Sequence, residues 1–274
     1  MLIEQDNSLR GLHLLITRPV EQAYIWARQL RELGAVVTVQ PMLEIEPLTE
    51  EESKTDIINV IHRFDEFRKV IFISQNAVKY GMQWLHRYWQ SLPQVVEFFA
   101  IGASTAVSLQ TRNVDVQSTG IAMNSEALLK LAAMQRVGGQ KILVFRGCGG
   151  RSYLGDELRK RGAWVEYCEL YRRKLPLIKA PALPNAFYKT TGLTPITTVH
   201  SGETLTNLVK TVSSPQLTWL QKQPLLTPGE RVAAIAAGVG FTEILTAENA
   251  THKGMTEALY EWRQQNYRKH QCPA

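Results

Sequence analysis

In VFRGCGGRSYLG, residues 144–155, a hydrophobic run ends in Arg146, glycines stand at 147, 149 and 150, and Arg151 opens a helical pattern. Glycine lets backbone N–H groups face outward, a helix N-terminus adds partial positive charge, and guanidinium groups hydrogen-bond anions in pairs. The chemistry on offer is anion binding. A dinucleotide fingerprint would need a third glycine where Ser152 stands, although Glu166 falls about where a ribose-binding acid would lie. A P-loop would need Gly-Lys-Ser/Thr, which does not follow. A plain strand-to-helix corner shaped by glycine is the bland alternative.

Four other stretches share this setting: TRP at 17–19, SQNA at 74–77, GAST at 102–105 and SGE at 201–203. Each follows a short hydrophobic run and precedes a helical pattern, where open α/β sheets place ligands. The candidate donors are Arg18, Ser74, Gln75, Asn76, Gly102, Ser104, Thr105, Ser201 and Gly202, together with Arg146, Gly147, Gly149, Gly150 and Arg151. Every hydroxyl among them is equally a candidate helix cap. Ser74 and Ser201 lean toward binding because they coincide in an internal repeat, while Arg18 reads either as a carboxylate ligand or as half of a surface ion pair. His200 has no assignable partner acid and reads as a strand-end histidine. Met82, Trp84 and Trp89 read as packing residues.

The elements behind these stretches are written twice. LLITRPVEQAYIWARQLRELGAVV aligns with ILVFRGCGGRSYLGDELRKRGAWV, setting Arg18 on Arg146, Leu30 on Leu158 and Gly34-Ala35 on Gly162-Ala163. Each copy predicts a buried strand, a loop, an amphipathic helix and a second strand, with Gly34 and Gly162 where a left-handed residue closes the helix. VIFISQNAVKYG then aligns with TTVHSGETLTNL, FFAIGASTAVSL with LLTPGERVAAIA, and SEALLKL with TEALYEW. Short strands alternating with helices in both halves predict parallel doubly wound sheets. The segments 35–48 and 163–176 are about twice the length of an ordinary strand, enough to leave one domain for another. They either pair as a ladder or are each a strand followed by a loop.

At 274 residues, 45% hydrophobic and 20% charged, the chain suits two modest α/β domains. No apolar run approaches a bilayer span, and MLIEQDNSLRG has no export-signal core. Cys148, Cys168 and Cys272 lack metal-ligand spacing and fit a reducing cytoplasm. The net charge of +6 is scattered outside the terminal RQQNYRKH. It suits a small polyanionic substrate and lacks the concentrated stripe of a nucleic-acid groove.

ITRP, EIEPL, FISQNAV, AIGASTAVSL, SEALLKL, FRGCGGRSYLGDELRKRGAWVEYCELYRR and HSGETL together resemble the uroporphyrinogen-III synthase family in its enterobacterial style, from Leu12 to Trp262. The resemblance implies two similar flavodoxin-like, three-layer α/β domains with parallel sheets, joined by a two-stranded antiparallel ladder. The first domain would be discontinuous, 1–38 plus 176–262, and the second would span 46–165. Linkers would cover 39–45 and 166–175, with a disordered tail at 263–274.

The implied reaction cyclises the linear tetrapyrrole hydroxymethylbilane to uroporphyrinogen III, with loss of water and inversion of ring D: a hydro-lyase of haem biosynthesis. The resemblance implies a cytoplasmic monomer with no cofactor or metal, no nucleic-acid or membrane partner, and transient contact with the enzyme that supplies hydroxymethylbilane. Tyr171 in CELYRR matches the tyrosine suspected as proton donor in the family; its other reading is a packing residue of the ladder. TPGERVAA departs from the family's Gly-x-Thr-Thr-Ala turn, placing Arg231 and Val232 where threonines are expected. Two other readings stay open: a non-catalytic two-lobed protein that captures a polycarboxylate or nucleotide, and a Rossmann-type dehydrogenase or transferase.

Overall fold

The structure, a computed structural model, describes residues 8–48, 50–120, 124–178 and 183–271. The leading MLIEQDN, the first two residues of the proline-rich PALPNAFYKTTGLTP and the last three residues of the chain lie outside the described residues. The chain divides into two compact units, Met1–Glu44 with Lys174–Ala274, and Ile45–Arg173.

Continuous apolar runs make the central strands, as sheets covered on both faces require. The first unit opens with one of these, β1 (Leu12–Ile16), followed by helix α1 (Val20–Glu32) and the edge strand β2 (Val36–Val39). The second unit contains β3 (Glu44–Pro47), α2 (Glu50–His62), β4 (Lys69–Phe72), α3 (Gln75–Tyr88), β5 (Glu97–Ala100), α4 (Ala103–Gln110) and β6 (Val116–Ser118). It continues through α5 (Ser125–Leu129), β7 (Lys141–Gly147), α6 (Tyr153–Lys160) and β8 (Trp164–Lys174). The chain then returns to the first unit with α7 (Asn185–Tyr188), β9 (Thr194–Thr198), α8 (Gly202–Thr211), α9 (Ser214–Leu220) and β10 (Leu225–Thr227). Helix α10 (Glu230–Gly238), strand β11 (Ile244–Thr246) and helix α11 (His252–Gln271) complete it.

The first sheet runs β2-β1-β9-β10-β11, all in parallel. Numbered within its unit this is 2-1-3-4-5, the flavodoxin-like order. The second sheet runs β3-β8-β7-β4-β5-β6, parallel from β8 to β6. Set β7 on β1, β8 on β2 and β4 on β9, and the two orders coincide; the second unit is a circular permutation of the first. Alternate residues feed opposite faces. Leu12, Leu14 and Ile16 pack in one cluster and Leu15 in the other, and Val70 and Phe72 part from Ile71 in the same way. Both repeat helices end on a left-handed glycine, Gly34 and Gly162, each at φ +85°.

The two long segments behave differently. Residues 164–174 form one 11-residue strand. The earlier segment breaks after Val39: Pro41 offers no N–H, Met42 donates to the Thr17 carbonyl at 2.9 Å, and its side chain is buried in the first unit. Beyond the break, β3 lies beside β8. Leu48 N–H donates to the Leu170 carbonyl at 3.0 Å, and ion pairs join Glu46 to Arg172 and Glu44 to Lys174. Residue numbers rise on one strand as they fall on the other, so this pair is antiparallel.

The tail departs from the expectation. Residues from Arg263 to Gln271 continue α11 rather than leaving the fold. Met255, Ala258 and Leu259 bury its first turns, Trp262 Nε1 donates to Glu243 at 2.7 Å, and after Gly254 no glycine or proline interrupts the run before Pro273. No helix among the described residues is long and apolar enough to cross a membrane.

Candidate functional site

In the second unit the loops after β4, β5 and β7 meet at the C-terminal edge of the sheet, where the strand order reverses. Ser74 caps α3 in extended backbone, its Oγ accepting the Ala77 N–H at 3.1 Å. The same oxygen lies 2.8 Å from the hydroxyl of Tyr171. The Tyr171 side chain is fully buried, its ring against Gly147, where an added Cβ would sit 2.6 Å from Cε2. A bulge between Arg146 and Gly147 carries β7 from Glu169 to Tyr171 on the neighbouring strand, and this puts the ring under the loop. Gln75 is exposed and reaches the Ser104 carbonyl at 3.4 Å. Asn76 is half-buried and Ser104 exposed, whereas Thr105 is buried. Gly102 caps α4 at φ +84°, its N–H held by Thr119 Oγ1 at 2.8 Å.

The glycine loop holds a carboxylate, and it is the protein's own. Gly149 N–H donates to Glu169 Oε1 at 3.1 Å, and Arg146 Nε stands 3.6 Å from the same oxygen. Arg146 is buried, donates to the carbonyls of Gly147 and Arg151, and stacks on Tyr167 at 4.7 Å. The Tyr167 hydroxyl accepts the Gly155 N–H at 3.0 Å and donates to the Ser152 carbonyl. Arg146 therefore braces the loop, and with Gly150 at φ +90° and the exposed Arg151 it lines a cavity of about 200 Å³ beside Ile73, Ile101 and Ser125. A larger cavity of about 650 Å³ runs along β8 beside Arg63, Glu166, Cys148 and Cys168. Burial raises both thiols, so neither is an activated nucleophile. Glu166 pairs with Arg63 at 2.9 Å.

The first unit repeats the geometry. Ser201 caps α8 with the same extended backbone as Ser74, accepts the Thr204 N–H at 3.1 Å and completes a capping box. Gly202 is the first residue of that helix, and Arg18 follows β1, half-buried, with Nη2 3.4 Å from Gln22 Oε1.

The family model described as "Uroporphyrinogen-III synthase HemD" matches residues 25–257. The chain belongs to the uroporphyrinogen-III synthase family. It is 33% identical over 252 residues to the uroporphyrinogen-III synthase of Salmonella typhimurium, covering 90% of this chain and all of the relative. Against that of Escherichia coli it is 32% identical over 255 residues, with 90% and 100% covered. A mutant uroporphyrinogen III synthase from the extremely thermophilic bacterium Thermus thermophilus superposes with a TM-score of 0.60 at 14% identity, over 93% of this chain and 99% of that one. The Helicobacter pylori enzyme gives 0.55 at 15% identity, over 92% and 99%. At such identities the two structures show the shared fold.

Within this family member, sequence reasoning missed Glu169, Tyr167, Trp26 and His252. The alternation of β8 carries a signal for the first two: Tyr167 and Glu169 share a face with Tyr171 until the bulge intervenes. Nothing local marks His252, whose surroundings come from residues far away in the chain.

Proposed function

We propose that the protein cyclises hydroxymethylbilane to uroporphyrinogen III as a hydro-lyase, in the cytoplasm, with transient contact to the enzyme that supplies its substrate. The observation that carries this reading is the family match across both units, in which relatives covered along their whole length bear the name uroporphyrinogen-III synthase.

The chemistry needs few side chains. Electrons from the terminal pyrrole nitrogen expel the hydroxyl, the C–O bond breaks, and a proton leaves with the oxygen as water. The azafulvene that results closes onto the last ring. Closure at that ring's free carbon gives the unrearranged isomer. Inversion needs the new bond to form at ring D's substituted α-carbon, the bond from that carbon to the ring C methylene to break, and that methylene to re-bond at the free carbon. The protein must therefore hold ring D where this exchange can occur. The proton lost when ring D regains aromaticity balances the one given to the leaving oxygen.

Tyr171 is the proton donor in this account, and Ser74 is its outlet. The tyrosine ring is buried while Ser74 is half-buried, so the proton passes from Tyr171 O–H to Ser74 Oγ and from Ser74 O–H to the leaving group. In the second unit Gln75, Asn76, Ser104, Arg151 and the Gly150 N–H offer donors to carboxylate arms, and in the first unit Arg18, Ser201 and the Gly202 N–H do the same, while the Gly102 N–H is already taken by Thr119. Thr105, Arg146, Gly147 and Gly149 hold these loops in shape.

The test is multiple turnover. Hydroxymethylbilane generated in situ in large excess over the protein should give isomer III in amounts exceeding the protein. Isomer III limited to one equivalent, or isomer I alone, would leave a binding protein in place of an enzyme.

A further inference from the structure

Arg18 and Arg146 occupy equivalent places, each at the C-terminal end of the strand beside which its sheet reverses order, yet one is satisfied and the other is not. Arg146 has a carboxylate, two carbonyls and an aromatic face. Arg18 has Gln22 at 3.4 Å, and its Nε is buried with no partner. Two residues past the end of the neighbouring strand β9, which runs in parallel register with β1 up to Ile16 and Thr198, His200 has both ring nitrogens buried and unpartnered. His252 opens α11 nearby. The two imidazoles share Trp26, His200 edge-on at 5.1 Å and His252 stacked at 6.0 Å.

The groups around His200 are Arg18 beyond β1, Trp26 of α1, Thr204 of α8 at its backbone N–H, and His252. Around His252 they are Arg18, the Gln22 backbone and Trp26. Burial, then the charge of Arg18, hold both imidazoles below their ordinary value, His200 well below it. Among the described residues no carboxylate bonds any of the three side chains. Buried polar atoms left without partners are rare in folded proteins, and each asks for a reason.

We propose that Arg18, His200 and His252 form a subsite for one carboxylate of the substrate, Arg18 taking the anion at the half-buried mouth with the two imidazoles behind it. The identity of the ligand rests on the proposed reaction; the subsite itself does not. An anion on Arg18 offsets the charge that adds to burial in holding both imidazoles neutral, so their affinity for protons rises and binding takes up protons as the pH falls below neutrality. The equivalent place in the second unit needs no such ligand, because Glu169 already supplies its carboxylate.

The test titrates the histidines of the full chain by NMR in saturating sodium propionate, in sodium phosphate and in sodium chloride at matched ionic strength. Propionate should move the His200 and His252 titrations to higher pH and leave His13 where it is. Arg18→Gln should raise both titrations in chloride and abolish the response to propionate, with His13 reporting that the fold is intact. Histidines that ignore propionate, respond equally in Arg18→Gln, or answer to phosphate alone would overturn the subsite. Silent histidines in a protein that still makes isomer III would sink the subsite and leave the reaction standing; responsive histidines without isomer III would do the reverse.

Discussion

Tyr171 is held by its hydroxyl on Ser74, by Gly147 across its ring, and by Tyr80 at 5.8 Å between centroids. Gly147→Ala would place a methyl group inside that ring's contact distance, so the strand or the ring must move. Urea unfolding should show a loss of about 1–3 kcal/mol, and turnover should fall with it. Ser74 separates two roles. Thr keeps both the cap and the hydroxyl; Asn keeps the cap but has no hydroxyl to pass a proton. Ser74→Thr should retain most of kcat, while Ser74→Asn should unfold like the parent and lose kcat by about 10²-fold or more. Equal rates in Thr and Asn variants would reduce Ser74 to a cap. Residue types identified the loops but not the direction of their side chains. Arg146 and Arg151 look alike in the sequence, yet Arg146 folds back onto Glu169 because the bulge brings that carboxylate under the loop.

At the scale of elements, the strongest symmetry lies in the helix starts. Ser74 and Ser201 adopt the same extended backbone and each accepts an N–H three residues on. Ser201→Ala removes a capping box and should lower stability by about 1 kcal/mol, read from the urea midpoint at unchanged slope. The repeat made most strands, helices and closing glycines legible, because period and punctuation are local signals. The break at Pro41 was less so: a proline-containing extended segment reads alike whether it stays in one sheet or changes sheets. The end of α11 was misjudged for another reason. RQQNYRKHQ is polar and looks unanchored, but it propagates a helix already fixed by Met255 and Leu259, and propagation is far easier than nucleation.

At the scale of the molecule, one topology is used twice, entered at β1 in one unit and at β4 in the other. The shared strand–helix series was readable from the repeat, but the different entry points came only with the family resemblance, and the charge layout at each strand end was not readable at all, since it depends on which acids the fold brings near. One unit supplies Glu169 to its arginine; the other surrounds Arg18 with imidazoles. That difference reaches whole-molecule stability. His13, His200 and His252 are all held below the ordinary imidazole value near 6.5, chiefly by burial, so the unfolded chain binds more protons than the folded one below that pH. Tm should be steady above neutrality and fall between about pH 7 and about pH 5; a Tm that rises over that range would contradict the burial of these rings. The most direct measurement is a single turnover of hydroxymethylbilane with protein in excess, following rate and isomer for the parent and Tyr171→Phe. Isomer III from the parent, and the same isomer formed about 10²–10⁴ times more slowly by the variant, is the predicted result. Isomer I from the parent, or an unchanged rate in the variant, would contradict the account.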